Sequence, residues 1–140
     1  MHIKSLCAAA ALALFTASAA HAATDQFMAM LKGADETPPN TSAGTGMVMA
    51  SYDTATMKFH YDITYSGLTG PAKAAHFHVG APGVSGPPVL PITGALASPI
   101  TGDATLTAAQ ASDLEAGKWY FNIHTAAHPA GEVRGQVLKQ

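Results

Sequence analysis

The sequence predicts an all-β sandwich with one short helix, on three observations. Apolar and polar residues alternate with a period of two along several short runs, clusters of Gly, Pro, Asn and Asp separate those runs, and only the segment from Thr107 to Gly117 carries helix signals. In an extended strand successive side chains point to opposite faces, so each alternating run offers one face to a core and the other to water. Many short strands with frequent turns and a single helical piece fit two packed sheets.

Taken in order, Gln26–Lys32 is the first expected strand, with Phe27, Ala29 and Leu31 on one face and Met28 and Met30 on the other. Residues 33–44 form a loop rich in turn formers, including Pro38, Pro39 and Asn40. Thr45–Tyr52 is a second strand, again carrying alternate methionines, Met47 and Met49. These thioethers either fill a sheet face, as adaptable packing residues do, or offer a soft surface for Cu(I). Asp53–Thr56 reads as a hairpin turn into Met57–Tyr65, where Phe59, Tyr61, Ile63 and Tyr65 alternate with Lys58, His60, Asp62 and Thr64. A turn over 66–71 then leads into the strand containing Ala75–Gly80. Residues 80–99, with Pro82, Pro87, Pro88, Pro91 and Pro99, are expected as one long irregular connection. Ile100–Leu106 is a short strand, and Thr107 with Gln110 three residues later matches a capping box, with Gly117 placed to end the helix. Lys118–Thr125 puts Trp119, Phe121 and Ile123 inward and Tyr120, Asn122 and His124 outward, and Val133–Leu138 closes the chain.

The N-terminus has a short positive start, an apolar Ala-rich run over 6–20, and small residues around Ala20-His21-Ala22. This pattern is that of a secretory signal peptide cleaved after Ala22, and the run is too short for a convincing membrane span. The expected division is a signal peptide over 1–22 and one domain over 23–140. The sole cysteine, Cys7, falls in the leader, so the mature chain has neither thiol nor disulfide. That chain carries 6 basic and 9 acidic residues with no basic run. Nucleic-acid binding, which needs clustered Lys and Arg, is therefore not expected, nor is membrane binding after cleavage. No Gly-x-Ser-x-Gly elbow, phosphate loop or dinucleotide fingerprint is present.

The chemistry-bearing residues are histidines. His76 and His78 share one face of their strand about 6–7 Å apart, from a rise of about 3.3 Å per residue, which suits two ligands of one ion. His124 lies on a second alternating strand, His128 follows it in a loop, and His60 is on the wet face of its own strand. The candidate metal ligands are thus His76, His78, His124, His128 and His60. Imidazoles without a thiolate suit Cu(II), Zn(II) or Ni(II), and copper binds tightest in the divalent series, so a copper ion is expected ahead of zinc. The opposing reading is that these imidazoles simply hydrogen-bond the loops around them. Glu132 and Arg134 share a strand face and are expected either as a surface ion pair or as groups orienting His124 or His128. Glu36 beside Pro38 and Pro39 reads as a loop determinant rather than a catalytic acid.

Several ordered motifs then resemble the CHRD, or chordin-type, domain family. They are Leu31-Lys32-Gly33 with Glu36 and Pro38-Pro39, Gly67-Leu68, Ala75-His76-Phe77-His78-Val79-Gly80, Gly86-Pro87-Pro88, Leu114, Gly117, Tyr120, Asn122-Ile123-His124-Thr125, Pro129 and Gly131 to Gln136. The resemblance covers nearly all of the mature region and implies a sandwich domain of exported bacterial and extracellular animal proteins; it implies no activity by itself. More weakly, Ser66-Gly67-Leu68 followed by the H-x-H strand is similar to the copper-ligand strand of copper,zinc superoxide dismutase. That likeness implies a Greek-key sandwich, superoxide-dismutase-like or immunoglobulin-like, with His124 as a late ligand and Arg134 as a guiding arginine. The bridging histidine, zinc-loop aspartate and disulfide of that enzyme have no counterpart here. The order of readings is a periplasmic or secreted copper-binding protein for storage, delivery or detoxification, with another periplasmic copper protein as its partner; then a metal-free interaction or adhesion module; then a dismutase-like redox enzyme.

Overall fold

In a computed structural model, residues 23–140 are described. The expected leader, 1–22, lies outside them. The strands are β1 (Thr24–Lys32), β2 (Thr45–Asp53), β3 (Lys58–Ser66), β4 (Ala72–Val79), β5 (Pro88–Pro91), β6 (Ile100–Thr105), β7 (Trp119–Thr125) and β8 (Val133–Lys139), with the helix α1 (Ala108–Glu115) between β6 and β7. They form one antiparallel ladder in the order β5-β4-β7-β8-β1-β2-β3-β6. No helix among the described residues is long and apolar enough to cross a membrane.

The ladder curls over on itself. β3 and β4 are separated by four intervening strands, yet the ring of Phe59 on β3 lies 5.4 Å from that of Phe77 on β4 and 5.7 Å from that of Trp119 on β7. The half built from β5, β4, β7 and β8 thus packs face to face against the half built from β1, β2, β3 and β6, giving the sandwich that the alternation predicts. The buried sets are Phe27, Ala29 and Leu31; Phe59, Tyr61 and Ile63; Ala75 and Phe77; Trp119, Phe121 and Ile123, as the alternation predicts, and on β2 the positions between the methionines, Val48, Ala50 and Tyr52. Tyr65 and Val79, at the ends of their strands, are only half-buried. Edge-to-face and tilted ring contacts among Phe59, Tyr61, Phe77, Phe121 and Trp119 form the centre, an arrangement that aromatic quadrupoles favour over face-to-face stacking.

The helix forms as its cap signals require. Thr107 Oγ1 accepts from the Gln110 amide and Gln110 Oε1 accepts from the Thr107 amide, a complete capping box. Gly117, at φ +70°, takes the left-handed conformation that ends it. Gln110 also donates to the Val89 carbonyl, tethering β5.

Two expectations are corrected. Residues 80–99 are not wholly irregular: Pro88–Pro91 pairs with β4, with Leu90 opposite Phe77 and Pro91 opposite His76. This is an edge strand, the position in a sheet where proline is tolerated. The second face of β7 is not wet, because Tyr120 and Asn122 are buried and His124 is half-buried. Loop segments cover that face, and this covering builds the site described next.

Phe77 has no exposed surface. Phe77→Ala is expected to cost about 3–5 kcal/mol, the range for truncating a core aromatic, measured by denaturant unfolding.

Candidate metal centre

The register of β4 against β7 sets the geometry. His76 is opposite Asn122, His78 opposite Tyr120, and His124 opposite Ala74. All six share the outer face of this half, so His124 is the diagonal neighbour of His76. One ring nitrogen from each of His76, His78 and His124 lies within 4.8 Å of those of the other two, and all three residues are half-buried. Nδ1 of His76 is 3.3 Å from Nε2 of His124. Three nitrogens bound to one ion at about 2.0–2.1 Å in a tetrahedral or trigonal set are about 3.3–3.6 Å apart. The His76–His124 pair already has that spacing, and the remaining separations, at most 4.8 Å, must close by up to about 1.5 Å, within the reach of side-chain rotation.

Two of the three rings, His78 and His124, are held from behind by backbone carbonyls. His78 donates from Nδ1 to the Gly86 carbonyl at 2.9 Å, which leaves Nε2 of the neutral ring with the lone pair. That Nε2 is buried and has no hydrogen-bond partner. His124 donates from Nδ1 to the Pro129 carbonyl at 3.0 Å, and its Nε2 lies 3.0 Å from the Asn122 amide oxygen. Imidazoles whose second nitrogen donates to a backbone carbonyl are in the posture of metal ligands. Burial, followed by the neighbouring His124 and His78, lowers the His76 pKa below its ordinary 6.5. Burial also lowers that of His78, with the Gly86 carbonyl opposing it. Both rings are therefore biased toward the neutral, ligating form.

The other candidate histidines are not brought to this point. His60 is exposed on β3, four strands from β7 along the ladder, with its Nδ1 2.9 Å from Asp103 Oδ1. His128 is half-buried in the loop after β7, where its amide and carbonyl exchange hydrogen bonds with Thr125. Neither belongs to the convergent set.

Glu132 and Arg134 do not pair with each other. Glu132 is fully buried and accepts from Ser42 Oγ, the Thr69 amide, Thr69 Oγ1 and Thr125 Oγ1. It thereby ties the 33–44 loop and the turn before β4 to the end of β7. Arg134, also buried, donates to Thr37 Oγ1 and to the Ala81 and Val84 carbonyls. Its guanidinium lies 3.5 Å from the centre of the Tyr120 ring, a cation–π contact. The His78 ring stacks on the same tyrosine at 4.8 Å and 5°. Arg134 thus pins the loop that supplies the Gly86 carbonyl to His78. Gly86 itself is required there, because a Cβ would overlap the Val79 carbonyl. Alternation along β7 and β8 puts Tyr120, Asn122, His124 and Arg134 on one face, but it does not reveal which loop carbonyls come to meet them. A cleft of about 530 Å³, lined by Glu36, Thr37, Pro82, Arg134 and Gln136 among others, lies beyond this loop and contains no histidine.

The fold and these residues define a class: a small β-sandwich with three imidazoles converging on the outer face of one half. The family model of the CHRD domain matches residues 27–137, and the chain belongs to that family. No curated protein and no solved structure matches the chain.

Two buried carboxyls set opposing pH limbs for stability. Burial disfavours ionised Glu132, but the bonds from Ser42, Thr125 and Thr69 together outweigh it and bring its pKa from 4.5 down to about 2. Its stabilisation, on the order of 3 kcal/mol, is present above pH 4.5 and is lost as pH falls toward 2. Glu36 behaves oppositely. Burial raises it from 4.5 to about 7 against the pull of Arg134, the Thr37 amide and Asn122, so folding weakens as pH rises between those values. Unfolding free energies measured against pH are expected to lose the acid limb in Glu132→Gln and the neutral limb in Glu36→Gln.

Proposed function

We propose that this is an exported transition-metal-binding protein that holds copper through His76, His78 and His124 for storage, delivery or detoxification. The carrying observation is the buried, unpartnered Nε2 of His78, directed by the Gly86 hydrogen bond and accompanied by two more ring nitrogens. A buried imidazole lone pair without a donor is costly unless something fills it, and a cation is a partner that it and the two nearby ring nitrogens can share. Binding replaces the Asn122 contact at Nε2 of His124 with the ion. All-nitrogen, thiol-free ligation suits Cu(II) ahead of Zn(II) in intrinsic affinity. Export follows the leader-like N-terminus and the family's extracellular and periplasmic occurrence.

A redox enzyme of dismutase type is less favoured. Arg134, the residue that would guide an anion, is only 2% exposed and is committed to Tyr120 and three oxygens.

His78→Ala is expected to weaken Cu(II) binding by more than about 100-fold, beyond the 10–100-fold typical of losing an orienting partner, while the protein still melts cooperatively. Competition titration with a chelator measures the first effect and calorimetry the second; unchanged affinity would exclude His78 as a ligand. Imidazoles must be neutral to ligate. Because His76 and His78 titrate below 6.5, affinity is expected to hold from pH 8 to 6.5 and to fall only below it. Affinity that stays flat to pH 4 would contradict ligation by histidine.

A further inference from the structure

The geometry points to a second metal site, selective for Cu(I), formed by Met28, Met30, Met47 and Met49 on the outer face of β1 and β2. In the ladder Met28 is directly opposite Met49, and Met30 directly opposite Met47. Met30 and Met49 are 60% and 55% exposed, and Met28 and Met47 are half-buried.

A packing role does not account for them. The core faces of the same strands are filled by Phe27, Ala29, Leu31, Val48, Ala50 and Tyr52. Met57 shows what a packing methionine looks like here: it is partly buried against the core, and its sulfur accepts from the Tyr52 hydroxyl. The other four point away from any core, at the same outer-face register over two strands. Directly opposed residues have Cβ atoms about 5 Å apart, and residues two apart along a strand are separated by about 6.7 Å. The centre of that rectangle lies about 4 Å from every Cβ. A methionine side chain, with three rotatable bonds, brings its sulfur over such a point without backbone movement.

The donor chemistry selects the ion. Thioethers are soft, neutral donors that favour Cu(I) over hard or borderline divalent ions. The only cysteine is Cys7, so the methionines supply all the soft sulfur among the described residues. Thioethers carry no proton near neutrality, so this site holds its ion across a pH range in which the imidazoles release theirs. The two sites lie in opposite halves of the sandwich, and the methionine site stands without the histidine reading.

The test titrates the purified protein anaerobically with Cu(I), and separately with Ag(I) as a redox-inert substitute, against a chromophoric chelator, with methionine methyl resonances followed by NMR. The expected result is Cu(I) and Ag(I) uptake with shifts at the methyls of residues 28, 30, 47 and 49, retained in His76→Ala/His78→Ala/His124→Ala and little changed from pH 8 to 5. Replacing the four methionines by leucine, a swap of similar volume, is expected to weaken Cu(I) binding at least about tenfold while Cu(II) binding and the melting temperature persist. Either of two results overturns the site: wild-type methyls that do not move, or a fourfold leucine variant that binds Cu(I) as wild type does. Should the single-site variant Met30→Leu be needed for folding reasons, loss of the shift at its neighbour Met47 reads the same point.

Discussion

The pairing of β4 with β7 is the constraint on which both the core and the candidate site depend. Phe77 faces Phe121 in that register, with ring centres 4.7 Å apart, and His76 and His78 occupy the alternate positions. A slip by one residue would turn Phe77 and Ala75 to the outside and both imidazoles into the core, because side chains alternate with a period of two. Burying two imidazoles among Phe59, Tyr61 and Trp119 without partners would be severely unfavourable. The aromatic contacts that stabilise the sandwich therefore also fix where the histidines stand. His124 arrives by the same means, since Ile123 beside it is fully buried.

The strands alone do not finish the site; three loop segments do. Glu132 gathers Ser42, Thr69 and Thr125 around one carboxylate. Arg134 gathers Thr37, Ala81 and Val84 around one guanidinium and lies against Tyr120. These two buried charges, two residues apart, both hold the 33–44 loop, and each adds a different second segment: the turn before β4 for Glu132 and residues 81–84 for Arg134. Each is satisfied by several polar partners, which a buried ion needs if it is not to destabilise the fold. Gly131 between the strands is part of the same construction: at φ +134°, it leaves room for the Glu36 carboxyl where any side chain would intrude. The result is a rigid outer wall in which the orientation of His78 is inherited from Arg134 through a loop carbonyl.

Much of this was legible in the sequence because alternation is a local property. The inward sets of β1, β3 and β7, the capping box at Thr107, and the shared face of His76 and His78 all follow from local spacing, whereas the approach of His124 depends on the pairing of β4 with β7. Three features did not follow. Leu90 pairs across from Phe77 in a proline-rich stretch where no alternation marks a strand. Tyr120 and Asn122 read as wet because their strand alternates, yet distant loops cover them, and coverage by a loop leaves no periodic trace. Glu132 and Arg134 share a face two residues apart, which suggests a pair, but the nearer hydroxyls, amides and carbonyls win each of them. His60 and His128 show the same limit: residue type and strand face nominate a ligand, and only tertiary placement decides whether it converges with others.

X-ray absorption at the copper edge, on protein loaded with one equivalent of Cu(II), tests the trihistidine centre most directly. Three imidazole nitrogens at about 2.0 Å, with the outer-shell scattering that rigid rings produce, are the expected result. A first shell of oxygens without ring scattering, persisting unchanged when His76, His78 and His124 are replaced together, would contradict it.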